Sequence, residues 1–269
     1  MYNPCLLCSS STRQARFKDD TAILNNLTLT SQNIYNLAIE VGFDDCGIAP
    51  VQRLDEDAQF MDEWLAQGLQ GNMDYLERNR DKRYDPSVLV PGAQTVVVCL
   101  LHFDKSGRDY HRTVKSLLYK LEARLKEEFG EDVVSQTHQH IFCDSAPMLE
   151  RRWCVNAGLG FIGKNHQLIH PTLGSLVHPG EIVLNRPINT DTTSLPLNRD
   201  TEEIPSLSRV NNGFISNLYD ICADCQLCLE ACPTGALRNN VWDATQCIAY
   251  TTHHCLECQL VCPYNEAKG

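Results

Sequence analysis

The sequence predicts an α/β domain followed by a small cysteine-rich module, and three observations carry that reading. Thr95-Val-Val-Val-Cys-Leu-Leu-His-Phe103 is a continuous β-branched and apolar run, as expected of a central strand buried on both faces. After a turn at Ser106-Gly107, residues Val114, Leu117, Leu118, Leu121, Leu125 and Phe129 keep helical spacing, with Lys and Arg on the wet face, and His140-Ile-Phe-Cys143 follows as another strand. Cysteines then crowd the last part of the chain: eight of its 14 lie between Cys222 and Cys262. The expected organisation is a loose extension over 1–30, an α/β domain with a polar connector at its end over 31–215, and the module over 216–269.

Bulk properties agree with a globular metalloprotein. The 269 residues are 43% hydrophobic with mixed charge, enough to bury a core. No apolar run approaches the roughly 18 residues of a membrane span. The N-terminus lacks a basic region leading into an apolar stretch, so a cytoplasmic protein is expected, with thiols reduced or on metal. The net charge of −11 argues against a broad phosphate-binding surface, although it leaves room for a local basic patch.

Taken in order, residues 1–30 show no sustained period, and Cys5 and Cys8 read as two incidental thiols rather than half of a metal site. Ile34, Leu37, Ala38 and Val41 share one helical face, which Gly42 ends. Asp45-Cys46-Gly47-Ile48-Ala49 reads as a short buried strand. A helix is expected over Asp57–Gln67, with Phe60, Met61, Trp64 and Leu65 inward. Arg78, Arg80, Lys82 and Arg83 form the most basic local segment, either a solvated helix end or a site for phosphate or carboxamide groups.

Asp144-Ser145-Ala146-Pro147 stands where a strand passes into a helix. There Ser145 can cap and Pro147 suits the first turn, while an aspartate at a strand's C-terminal end can also face a ligand. The helix is expected through Met148, Leu149, Trp153 and Ala157 to Gly158. Gly158-Leu-Gly160-Phe-Ile-Gly163 follows a helix rather than a strand, so it is a poor dinucleotide fingerprint. Its glycines suit close approach to a flat or bulky ligand. Leu168-Ile169 and Glu181–Leu184 read as two strands joined through Gly174-Ser175. Residues 185–215 are polar and aperiodic, a connector.

The cysteines carry the most chemistry. Cys222-x2-Cys225-x2-Cys228-x3-Cys232-Pro233 has the spacing of bacterial ferredoxins with two [4Fe–4S] clusters, in which the fourth cysteine serves the other cluster. Two cubanes need eight thiolates. One cluster would take Cys222, Cys225, Cys228 and Cys262, the other Cys232, Cys247, Cys255 and Cys258. Zinc would need no C-x3-C-P extension, and disulfides would imply export. His253 and His254 read as ordinary polar residues.

These pieces together resemble the cobalamin-dependent epoxyqueuosine reductases. The resemblance rests on Gly71-Asn-Met-Asp-Tyr-Leu, Val90-Pro-Gly-Ala, Gly107-Arg-Asp-Tyr-His, Asp144-Ser-Ala-Pro-Met-Leu-Glu-Arg, Ala157-Gly-Leu-Gly-Phe-Ile-Gly-Lys-Asn and the double-cluster run, and it covers roughly Ser31 to Asn265. It implies reduction of the epoxide of epoxyqueuosine in tRNA to queuosine. It implies a base-off cobalamin between the α/β domain and the module, electrons from an external donor such as a flavodoxin or ferredoxin, and a monomer with no membrane partner. Asp144 matches the family's proton donor, and burial is expected to raise its pKa. Arg78, Leu168 and Pro179, with Asp144, match positions that contact the corrin. Phe103 to Gly107 and the stretch between Cys247 and Cys255 are shorter than in the family, and His178-Pro179 replaces an apolar pair. A related corrinoid reductase of another substrate, or a two-cluster electron carrier, are the alternative readings.

Overall fold

The computed structural model describes residues 28–102, 109–134, 140–188, 222–252 and 255–266. Cys5, Cys8, Phe103 to Gly107, most of the expected connector and His253-His254 lie outside them.

Leu29 is buried, and Thr30 caps α1 (Ser31–Val41) by accepting a hydrogen bond from the Asn33 N–H at 3.2 Å. β1 (Asp45–Pro50) follows, then α2 (Asp55–Ala66), which starts two residues before the expected Asp57 because Asp55 and Glu56 belong to its acidic first turn. β2 (Thr95–His102) leads to α3 (Tyr110–Phe129), capped by Asp109. After β3 (Ile141–Phe142) come α4 (Glu150–Asn156), the hairpin of β4 (Phe161–Ile162) and β5 (Leu168–Ile169), and the long β6 (Val177–Leu184).

These elements form a mixed helix-and-strand fold, but its sheet differs from a strand–helix–strand reading. The order is β1-β2-β6-β3, and every neighbouring pair is antiparallel. β2 and β3 are not paired, because β6 returns later in the chain and lies between them. The two strands joined through Gly174-Ser175 lie in different sheets: β5 pairs with β4, and β6 belongs to the main sheet. Alternation along β2 divides the core. Val97 and Cys99 face α1 and α3, whereas Val96, Val98 and Leu100 face Trp153, Cys154 and Met148 around α4.

The cysteine-rich segment is built differently. It contains a two-stranded β7 (Leu237–Arg238) and β8 (Val241–Trp242) ribbon and helices of only four or five residues. Side chains and backbone from the first part of the chain seat it. Trp64 Nε1 donates to the Trp242 carbonyl at 2.6 Å while the two indoles stack, and Ala244 N–H donates to Leu69 O at 2.9 Å. On the other side, Asn265 Oδ1 accepts from the Ser175 N–H at 2.7 Å, and Gln259 Nε2 donates to Ser175 O at 3.1 Å. Among the described residues, no helix is long and apolar enough to cross a membrane.

Candidate functional site

Asp144 is not a helix cap. α4 begins only at Glu150, its N-cap is Leu149 with no side-chain cap bond, and the residues between Asp144 and Leu149 form a loop. Asp144 instead adopts left-handed backbone, φ +50°. Its N–H donates to Glu150 Oε1 at 2.6 Å. Strain of this kind at a polar residue marks a position that the surroundings enforce.

That backbone turns the carboxylate toward α3. Tyr110 donates its hydroxyl to Asp144 Oδ2 at 2.6 Å, and His111 Nε2 lies 3.7 Å from the same oxygen. The Tyr110 ring is stacked between His111 (centroids 3.9 Å apart) and His178 (3.7 Å). The histidine that departs from the family's apolar pair thus has a structural task. Burial lowers the His178 pKa, which favours the neutral ring in that stack.

Three carboxyl groups meet behind this surface. Glu181 shares its sheet face with Val183, which packs among the residues around α4, and it is fully buried. Neither of its oxygens has a hydrogen-bond partner. Burial pushes the Glu181 carboxyl well above the ordinary glutamate range, and Asp144 adds to it. Burial does the same to Glu150, reinforced by Glu181 and Asp144. Asp144 goes the other way. Burial raises it, but hydrogen bonding with Glu150 and Tyr110, with His111 and Arg151 nearby, outweighs that and holds it below the usual range. The expectation of a raised Asp144 pKa is therefore corrected: its carboxyl is held low while those of Glu150 and Glu181 are pushed up. Sequence reading missed Glu150 and Glu181 because a glutamate in a helix or strand ordinarily marks a wet face.

Asp144 opens onto two cavities. The larger, about 360 Å³, is walled by Trp64, Trp242, Tyr250, Arg83 and the half-buried ion pair of Asp57 with Arg152, whose oxygen and nitrogen are 3.0 Å apart. The second, about 240 Å³, is lined by Leu168, Pro179, Tyr110 and His178. Leu168, Pro179 and Asp144 are thus brought together. Arg78 is not: it is exposed and lines neither cavity, whereas Arg83, Arg151 and Arg152 line the larger one. The outward Phe60, expected in the core, also lines the larger cavity.

A third cavity, about 200 Å³, is walled by Cys232, Cys247, Cys255 and Cys258. Arg151 lines all three cavities and ties the turn beside them through Nη1 to His166 O at 3.0 Å. Burial and the ionised forms of Cys222, Cys225 and Cys262 push the Cys228 thiol up to about 11. Burial together with Cys228, Cys247, Cys255 and Cys232 pushes Cys258 up to about 12. Among the described residues, no three His, Cys, Asp or Glu side chains converge on a single-ion site. A cubane makes no such demand, since each of its four irons takes one thiolate.

No family model matches this chain. It is 32% identical over 269 residues to an epoxyqueuosine reductase of Leadbetterella byssophila, covering 87% of this chain and 80% of that one. The family is settled by that match. This chain belongs to the epoxyqueuosine reductases. A second family member, from Cyclobacterium marinum, is 33% identical over 272 residues, covering 87% of this chain and 79% of its own. The fold is shared as well. A crystal structure of epoxyqueuosine reductase with an epoxyqueuosine-modified tRNA-Tyr stem loop superposes with TM-score 0.68 at 23% identity, over 88% of this chain and 65% of that one. The Streptococcus thermophilus family structure gives 0.65 at 21% identity, over 87% and 66%.

Proposed function

We propose that this chain reduces the epoxide of epoxyqueuosine in tRNA, with two [4Fe–4S] clusters and a base-off cobalamin as cofactors. The observation that carries the reading is the position of Asp144, on the wall shared by the two larger cavities and one residue, Arg151, away from the cavity walled by cysteines. Epoxide removal consumes two electrons and two protons and releases water, so the site must deliver both kinds of particle to one place. The donor sets suit that division. Cys222, Cys225, Cys228 and Cys262 would hold one cluster, and Cys232, Cys247, Cys255 and Cys258 the other. The adjoining cavities have the apolar and aromatic lining of a large-ligand cleft, with Leu168 and Pro179 at one wall and Arg83 at the other. A cobalamin held there would supply a low-valent metal centre for the epoxide carbon.

The remaining steps belong to the protein. Asp144 gives a proton to the opening oxygen, because expelling an unprotonated alkoxide is costly. Glu150, whose carboxyl is pushed well above the ordinary range and whose Oε1 accepts the Asp144 N–H, would resupply that proton. Tyr110 fixes the carboxylate's direction. An electron carrier would have no use for a proton-loaded carboxyl cluster beside its cleft, and this favours the enzyme over that alternative. An external donor such as a flavodoxin or ferredoxin would refill the clusters.

The test is iron and cobalt content of protein purified without oxygen from cobalamin-supplied cells, followed by nucleoside analysis of epoxyqueuosine-containing tRNA. About eight irons and one cobalt per chain, with queuosine formed, is the expected result. Iron without cobalt and without queuosine would overturn the proposal.

A further inference from the structure

The glycine-rich run that resembles a dinucleotide fingerprint has another use. A Cβ on Gly160 would sit 2.3 Å from Ile169 O, and one on Gly163 would sit 2.4 Å from Ile169 Cδ1. Gly160 and Gly163 therefore serve the close approach of β4 to β5. The turn of this hairpin carries Lys164 and Asn165 into the cysteine-rich module. Lys164 is only 7% exposed, and its Nζ donates to Ala223 O at 2.6 Å and Cys225 O at 3.0 Å. Ala223 is itself in left-handed backbone, φ +41°, a costly conformation for alanine that these bonds help to hold. At the base of the same hairpin, Phe161 and Ile169 pack against Cys262 and Cys222. Asn165 reaches the other way, with Nδ2 donating to Cys258 O at 3.3 Å.

One hairpin thus touches both cysteine sets, but with unequal charge. We propose that Lys164 raises the reduction potential of the iron–sulfur cluster on Cys222, Cys225, Cys228 and Cys262 and leaves that of the cluster on Cys232, Cys247, Cys255 and Cys258 in place. The inference rests on the two-cluster reading given above. Reducing a cubane adds one negative charge, and a fixed cation in a region withdrawn from water stabilises the reduced state far more than a solvated one does. Asn165 offers the second set a neutral amide, which favours neither redox state to the same degree. Two of the three ammonium donors are taken by carbonyls of the Cys222–Cys225 loop, so the charge is pinned against that loop.

The test is EPR-monitored potentiometry on the iron-loaded full chain. The native protein should show two midpoint potentials. Lys164→Met should lower one of them by at least about 59 mV, a tenfold change in a one-electron equilibrium, and leave the other in place. Lys164→Arg, which keeps the charge, should restore it, and Asn165→Ala should not move it. Unchanged potentials in Lys164→Met, an equal fall of both, or a fall that Lys164→Arg fails to reverse would overturn the proposal. Should Lys164→Met lose iron, Lys164→Gln, which keeps a donor without the charge, is read by the same criteria. Native protein that binds no iron would show instead that the two-cluster reading itself has failed, before any variant is made.

Discussion

In the sheet-and-helix body, β2 buries Thr95 through Leu100 in unbroken succession between two apolar cores, and Trp153, Leu118 and Leu121 are wholly inaccessible. In the cysteine-rich module the longest helix has five residues, and the buried apolar side chains are Ala236, Leu237, Ala244 and Cys262 among those described. The body can stand on hydrophobic burial. The module is too small and too thinly cored for that, so its contacts with the body, and the proposed cluster ligation, would supply what packing does not. On the proposed function the division extends to chemistry, with protons assigned to the body's carboxyls and electrons to the module's thiols.

Substitutions on either side can break that comparison. Asp144→Asn keeps a residue that tolerates left-handed backbone but removes the acid. Turnover should fall by about 10²–10⁴-fold, the worth of a general acid, with iron and cobalt contents unchanged. Lost iron in this variant would show that protons and electrons are not divided as described. The body and module can then be loosened separately. Trp153→Ala should cost about 3–5 kcal/mol in the denaturant unfolding of the body while leaving iron stoichiometry intact. Cys258→Ala should do the reverse, halving iron by loss of one of two cubanes and leaving the body's unfolding midpoint in place. A shared loss in both variants would mean that the two parts fold as one unit.

The smallest effect lies at the seam. Burial, with Arg151 adding to it, pushes the His166 ring down to about 4. The unfolded ring protonates near 6.5 and the folded one does not, so this contribution is complete above about pH 6.5 and is lost as pH falls toward 4. Its ceiling is roughly 3 kcal/mol. His166→Asn, which suits the left-handed φ of +57° and does not titrate, should flatten the stability profile across that range in denaturant melts. A profile as steep as the native one would assign the acid sensitivity to other groups.

The parts legible in the sequence were those with a local cause. The β2 run, the spacing of α3 and the apolar face of α1 each follow from side chains a few residues apart, whereas Thr30, read as part of a loose extension, proves to cap α1. The proposal of two clusters likewise rests on cysteine spacing, which needs no tertiary information. The antiparallel sheet was not legible, because β3 is placed by β6, which comes some forty residues later in the chain. Asp144-Ser-Ala-Pro has the composition of a helix start, and only the Asp144–Glu150 bond reveals that the helix begins later. Glu181 carries no local sign of its burial.

The left-handed backbone of Asp144 also limits what protein engineering can do at this position. Glycine, asparagine and aspartate accept that φ, whereas β-branched or bulky side chains would add about 1–2 kcal/mol of strain before any chemistry is considered. Glutamate, the nearest alternative acid, meets the same obstacle with a longer arm. A redesign that aims to retune acid strength here therefore has little room at residue 144 itself. Its practical handles are the neighbours that set the aspartate's charge, Tyr110 and Glu150.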